Sequence, residues 1–187
     1  WYASLFSGFY LILLLILVGL IIRGVSFEFR ANFPKERKNI WNWTLTIGST
    51  MVPFFFGFMF VALIQGMPLD ADGNMTATFT DYVNPFSVVG GIAMTLLCYL
   101  HGLNYIALKT EGPIRARARN YASIFYGILY AGLVIFAVML YYQTDFFDLH
   151  FATTLGLLIV IVLLTVLANV GVFKGMEMTA FLASGFT

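Results

Sequence analysis

Long apolar runs separated by short polar segments dominate this chain. Each run holds about 20 residues, which is the length that a helix needs to cross the roughly 30 Å hydrocarbon layer of a bilayer. None alternates strictly between apolar and polar residues, as a barrel strand would. The pattern predicts an all-α, polytopic transmembrane helical bundle with five complete spans and the start of another at 178–187. The predicted spans are 4–22, 43–64, 86–108, 121–142 and 151–173.

The composition supports a membrane protein. Of the 187 residues, 60% are hydrophobic and only 10% are charged, and the mean hydropathy is +0.89. Soluble domains carry about 25% charged residues, so this chain has too few charges to cover a surface that faces water. We therefore expect one transmembrane domain over residues 1–187, in contact with a lipid bilayer. The basic residues are confined to short segments between spans, which argues against a nucleic-acid partner.

The segments between spans alternate in charge. Segments 23–42 and 109–120 are rich in arginine and lysine, whereas 67–84 and 143–150 carry aspartate and neither Lys nor Arg. Short loops rich in Lys and Arg stay in the cytoplasm. The pattern predicts that 23–42 and 109–120 are cytoplasmic and that 67–84 and 143–150 lie outside.

Histidine is the first residue type to consider for a haem site. The chain has two, His101 near the inner end of the third span and His150 at the outer end of the fifth. Two axial ligands must approach one iron from opposite sides at the same depth, which this pair cannot do within one chain. His101 either serves singly or is a polar anchor near the interface. No catalytic, metal-binding or cofactor-binding residue is predicted, and the lone Cys98 cannot form an internal disulfide.

The ionisable groups nearest to a span are Arg23 and Glu28. Glu28 stands between Phe27 and Phe29, and partial desolvation by these rings would let it exchange protons near neutral pH. The alternative is an ion pair of Glu28 with Arg23 or Arg30, which would do little beyond anchoring. The spacing alone leaves both alternatives open.

Several motifs occur in a particular order and spacing along the chain. They are Ser7–Tyr10, Arg23–Arg30, Trp41–Trp43, Gly48–Ser49, Pro53, Gly57, Gln65–Pro68, Asn84–Phe86, Gly90, Lys109–Gly112 and Arg115–Arg117. Together they resemble subunit II of cytochrome bd-type quinol oxidase, clearly as far as about Arg119. Members of that family carry about eight spans. The resemblance implies that this chain supplies the third to the seventh and the start of the eighth, and its apolar ends are typical of part of a longer protein.

The resemblance implies a haem-free subunit of a terminal respiratory oxidase in a bacterial or archaeal plasma membrane. Such a complex oxidises quinol, reduces dioxygen to water and generates a membrane potential. Two b-type haems and one haem d belong to its subunit I, on which this chain would pack; a small single-span subunit is a further expected partner. Subunit II helps to form the proton and oxygen routes to the haems. Glu28 and Arg23 fall where the family keeps an acidic residue and an arginine at the cytoplasmic entrance of a proton route.

Two other functions remain open. A secondary transporter usually keeps an ionisable residue or a broken helix pair at mid-membrane, and Pro53 is the only candidate here for a broken helix. A purely structural membrane scaffold would need neither a proton route nor a redox partner.

Overall fold

The computed structural model describes residues 2–34, 38–66, 68, 70, 76 and 79–187, and this part of the chain is helical and contains no strand. Five of its helices are long and apolar enough to cross a membrane, namely α2, α3, α5, α6 and α7. The prediction of an all-α bundle with five spans is thereby confirmed. The helices are α1 Tyr2–Gly8, α2 Tyr10–Asn32, α3 Lys38–Gln65, α4 Phe79–Tyr82, α5 Pro85–Lys109, α6 Gly112–Gln143, α7 Phe146–Lys174 and α8 Glu177–Gly185.

The helices extend beyond the apolar runs that predicted them. Residues 23–32, 112–120 and 146–150 lie between the predicted spans and are helical, as parts of α2, α6 and α7. Hydropathy marks where side chains leave the lipid, whereas a helix continues until its backbone is interrupted. The first predicted span is also divided, since Phe9 separates α1 from α2. Lys35, Arg37 and Asp72, which contributed to the charge pattern, lie outside the described residues.

Two helix ends show how the sequence stops a helix. After α2, Phe33 is extended, with φ −88° and ψ 149°, because the ring of the following Pro34 disfavours helical backbone at the residue before it. After α7, Gly175 adopts the left-handed conformation with φ 72°. The next amide, that of Met176, then donates to the Gly171 carbonyl at 2.9 Å, as in a glycine-terminated helix. The second stop turns the chain directly into α8.

The described chain forms two compact units, residues 1–95 and 96–187, and α5 begins in the first and ends in the second. In the first unit the helices cross closely at glycines. A Cβ on Gly57 would stand 2.5 Å from the Gly90 carbonyl oxygen, and one on Gly48 would stand 2.8 Å from that of Gly19. The backbones therefore approach more closely than any side chain would allow. The core here comprises Phe9, Ile12, Ile16, Phe58, Met59, Ala62 and Tyr82.

The second unit packs α8 against the other helices. A Cβ on Gly171 of α7 would stand 2.9 Å from the backbone nitrogen of Ala180 on α8, so these two helices are also in close contact. The buried side chains of this unit come from all four of its helical segments, which makes α8 part of the core. They are Leu100, Ala122, Tyr126, Leu129, Ala168, Val172, Ala180 and Ala183.

Large apolar side chains remain exposed along the spans. Val134 on α6 and Leu157 and Leu163 on α7 are 60% exposed or more. Extended apolar surfaces of this kind are rare on soluble monomers and mark contact with lipid or with other proteins. These faces suit a bilayer and neighbouring transmembrane helices.

Candidate functional site

The charged end of α2 is fixed to the start of α3 by polar contacts. The Ser26 side chain is only 1% exposed, and its hydroxyl oxygen lies 2.9 Å from that of Thr44. One turn further along, the Arg30 Nε donates to Asn42 Oδ1 at 2.6 Å. These contacts, both between α2 and α3, give the end of α2 a defined orientation.

Arg23 and Glu28, the two residues predicted for a proton route, both lie exposed on this part of α2. The guanidinium carbon of Arg23 lies 5.9 Å from the ring centroid of Phe27. Phe27 and Phe29, on either side of Glu28, are themselves 55% and 46% exposed. Among the described side chains, Glu28 forms no ion pair with Arg23 or Arg30. Glu28 is therefore an accessible carboxylate, and its part in a proton route stays a prediction.

The second unit contains a charged cluster that the sequence analysis missed. Glu177 begins α8 and is only 8% exposed. Its Oε1 lies 2.5 Å from Nη2 of Arg115 and accepts a hydrogen bond from Arg115 Nε at 3.0 Å. Burial by itself would raise the pKa of the Glu177 carboxyl, but hydrogen bonds and the charges of Arg115 and Arg119 hold that pKa below its ordinary value of 4.5. Glu177 is thus ionised at neutral pH, as part of a structural ion pair.

Arg119 completes this cluster by binding the end of α7. Its Nε and Nη2 donate to the Val172 carbonyl at 2.9 and 2.6 Å, and Nη2 also donates to the Phe173 carbonyl at 3.1 Å. The last carbonyls of a helix have no partner within the helix, so a cation here satisfies them and suits the helix dipole. Together, Arg115 and Arg119 connect α6 to both α7 and α8. The only sequence signals for this charged cluster were Lys174-Gly175 at the end of α7 and the lone Glu177 after it.

A second set of polar residues lies inside the helical segments of this unit, and we call Asn104, Tyr126, Tyr130 and Asn169 the polar strip. Asn104 Nδ2 donates to the Tyr126 hydroxyl at 3.0 Å, and Asn169 Nδ2 donates to the Tyr130 hydroxyl at 3.1 Å. The Tyr126 and Tyr130 rings stack with their centroids 6.4 Å apart. Isolated asparagines and tyrosines within apolar runs gave no sequence signal. Each pair joins two different helices, so the pairing is visible only once the helices are packed.

The two histidines have different surroundings. His101 Nδ1 lies 3.1 Å from the Ser184 hydroxyl oxygen on α8, and its ring stacks on Phe181 with a centroid distance of 4.6 Å. This arrangement favours the polar anchor over the single haem ligand, since both the ring face and one ring nitrogen contact α8. His150 is exposed at a non-helical point of α7. Within the described ranges, no three His, Cys, Asp or Glu side chains cluster as a metal site would require.

Known proteins resemble this chain over most of its length. The sequence profile of the family described as "Cytochrome bd terminal oxidase subunit II" matches residues 1–187. "Cytochrome bd ubiquinol oxidase subunit 2" of Bacillus subtilis (strain 168) is 39% identical over 175 residues, which is 93% of this chain and 52% of that protein. "Cytochrome bd-I ubiquinol oxidase subunit 2" of Escherichia coli (strain K12) is 33% identical over 128 residues, or 66% of this chain and 34% of that protein.

A third relative extends the comparison. "Probable cytochrome oxidase subunit 2" of Haemophilus influenzae is 32% identical over 145 residues, which is 75% of this chain and 38% of that protein. The chain thus spans about half the length of the Bacillus relative, 52%, and less of the others. The match of the family profile to all 187 residues nevertheless settles the assignment. The chain belongs to the family of cytochrome bd terminal oxidase subunit II.

Proposed function

We propose that this chain is the haem-free subunit II of a terminal quinol:oxygen oxidase and packs on a haem-bearing subunit I. The family match over residues 1–187 carries this proposal. The haems expected in subunit I, two of b type and one of d type, would carry electrons from quinol to dioxygen. This chain supplies apolar surfaces for that partner and helps to form routes for protons and oxygen. A small single-span subunit is a further partner.

The proposed proton route begins at Glu28 and Arg23. Glu28 is exposed at the end of a span, where a carboxylate can exchange protons with water. Contacts between α2 and α3 hold this end of the helix in place on both sides of Glu28 in the sequence. Arg23 lies five residues earlier on α2 and places a positive charge near the same end.

The orientation in the membrane follows from the charges. We place segments 23–42 and 109–120 in the cytoplasm of a bacterial or archaeal cell and segments 67–84 and 143–150 outside. Glu28 would then take its protons from the cytoplasm. Consumption of those protons in oxygen reduction would contribute to the membrane potential.

The proton role is tested with Glu28→Gln in the assembled oxidase. The neutral amide keeps the shape of the side chain but cannot carry the proton, so oxygen consumption should fall several-fold while the haem content stays unchanged. Glu111→Gln is the matched control, since Glu111 is another exposed glutamate in a segment proposed to be cytoplasmic. Equal oxygen consumption in both variants and the wild type would exclude the role of Glu28 and favour a scaffold.

The oxidase function is tested apart from the proton role. The purified complex should show the absorption band of a d-type haem, and the isolated chain should show none. Solute transport by the chain without a haem protein would instead support a secondary transporter. The structure gives that alternative little support, because α3 continues as one helix through Pro53, the candidate for a broken helix.

A further inference from the structure

The polar strip contains a buried atom whose hydrogen-bonding capacity is unmet. Asn104 is 1% exposed, and its Oδ1 has no hydrogen-bond partner among the residues that the structure describes. Its Nδ2 is fully used, since it donates to the Tyr126 hydroxyl at 3.0 Å and to the Ala180 carbonyl at 3.3 Å. The side chain is therefore half satisfied within the core of the second unit.

The orientation of this amide is fixed by its surroundings. The Ala180 carbonyl can only accept a hydrogen bond, so the nitrogen of the Asn104 amide must face it. Exchanging the amide oxygen and nitrogen would place two acceptors against each other and break this contact between α5 and α8. The unpaired atom is thus the oxygen.

An unpaired buried acceptor is costly. Leaving a buried polar group without a partner costs about 1–3 kcal/mol, and buried side-chain polar atoms nearly always have one. The surrounding core offers apolar side chains such as Leu100, Leu129 and Ala183. We therefore expect a donor from outside the described residues next to Asn104.

We propose that an internal water molecule binds between Asn104 Oδ1 and the Tyr126 hydroxyl. The Tyr126 hydroxyl accepts from Asn104 Nδ2, and no described residue is seen to accept its own proton. A water can donate to Asn104 Oδ1 and accept from Tyr126, and buried waters make about two to four hydrogen bonds to polar groups. The water would connect α5 and α6 at the point where Asn104 also binds α8. It would also make the buried Tyr126 hydroxyl part of a hydrated site.

Glu28 and Arg23 of the proposed proton route belong to the other unit, so the test of this water does not involve them. The test is a cryo-electron microscopy map of the assembled complex at about 2 Å resolution, where ordered internal waters are visible. We expect a water peak about 2.7–3.2 Å from Asn104 Oδ1, at ordinary hydrogen-bond distance. Absence of that peak in a map that shows other internal waters would overturn the proposal. A protein or lipid donor found in its place would do the same.

Two variants test whether Tyr126 holds the water. Tyr126→Phe removes the donor to the water, so the water peak should disappear from its map. Tyr121→Phe is the matched control, because Tyr121 lies on the same helix but is 53% exposed. Its map should keep the water. Retention of the water in Tyr126→Phe would show that Tyr126 does not hold it. If that variant fails to assemble, the wild-type map alone decides.

Discussion

Arg119 holds the Val172 carbonyl oxygen with two nitrogen atoms, Nε at 2.9 Å and Nη2 at 2.6 Å. A side chain near the start of one span thus satisfies the backbone at the end of the next. Arginine suits this position because its planar group presents several donors in a fixed geometry. The contact joins α6 to the turn at Gly175, from which α8 begins.

Replacing Arg119 should weaken this end of the second unit. Arg119→Gln removes charge-assisted hydrogen bonds to the end of α7, and since the side chain is 33% exposed we expect a loss of only about 1–2 kcal/mol. The melting temperature of the assembled complex in detergent measures the effect. Arg117→Gln, at an exposed position two residues away, should leave it unchanged. Equal melting temperatures for the two variants would mean that the hydrogen bonds of Arg119 to the end of α7 do not stabilise the fold.

The ion pair of Glu177 should give a stability difference that depends on pH. Its pKa is lowered in the folded chain, so the ionised form stabilises the fold fully at pH values well above 4.5. This contribution is lost as the pH falls below 4.5 and through the lowered pKa. Glu177→Gln should therefore melt at a lower temperature than the wild type at pH 7.5, with a smaller gap near pH 4. A gap of constant size would contradict this assignment.

The close crossing of α3 and α5 should tolerate no added methyl group. In Gly57→Ala the new Cβ would stand 2.5 Å from the Gly90 carbonyl oxygen, so the helices must move apart. Overpacking of this kind costs typically about 1–3 kcal/mol. Gly127→Ala and Gly156→Ala serve as controls, because no atom lies within 4 Å of a Cβ at either position. The yield and melting temperature of the complex should fall only in Gly57→Ala.

The proposed orientation can be checked by labelling single cysteines. In a Cys98→Ser background, Arg117→Cys and Asp148→Cys each place a thiol at an exposed position, on opposite sides of the membrane in our proposal. A membrane-impermeant maleimide added to intact spheroplasts should label only Asp148→Cys. Inverted vesicles should show the opposite pattern. Labelling of Arg117→Cys from outside would reverse the orientation.

The spans could be predicted because about 20 consecutive apolar residues have few alternatives to a transmembrane helix. Hydropathy alone did not give the ends of the helices, since Arg23 and Arg115 are compatible with helix. Local backbone signals stop the helices instead, such as Pro34 after α2 and Gly175 after α7. The ion pair of Arg115 with Glu177 joins residues 62 positions apart, which no local pattern reveals.

The candidate functional residues could also be predicted only in part. Glu28 and Arg23 were identified as the ionisable groups nearest to a span, and the resemblance to a family then implied their proton role. Both lie on α2, in the described part of the chain, and they do not form an ion pair with each other. The polar strip went unnoticed because single asparagines and tyrosines within apolar runs are common. Asn104 became significant only when packing brought it against Tyr126 and Ala180.

The partners of α8 also constrain how the protein is made. Its first residue, Glu177, binds Arg115 on α6, and its Ala180 carbonyl accepts a hydrogen bond from Asn104 on α5. Both earlier helices must therefore be in place before α8 can pack against them. During synthesis α8 leaves the ribosome after them. We therefore expect the earlier helices to leave the translocon first and to form the groove that receives α8, which makes insertion of the chain sequential from its N-terminal side.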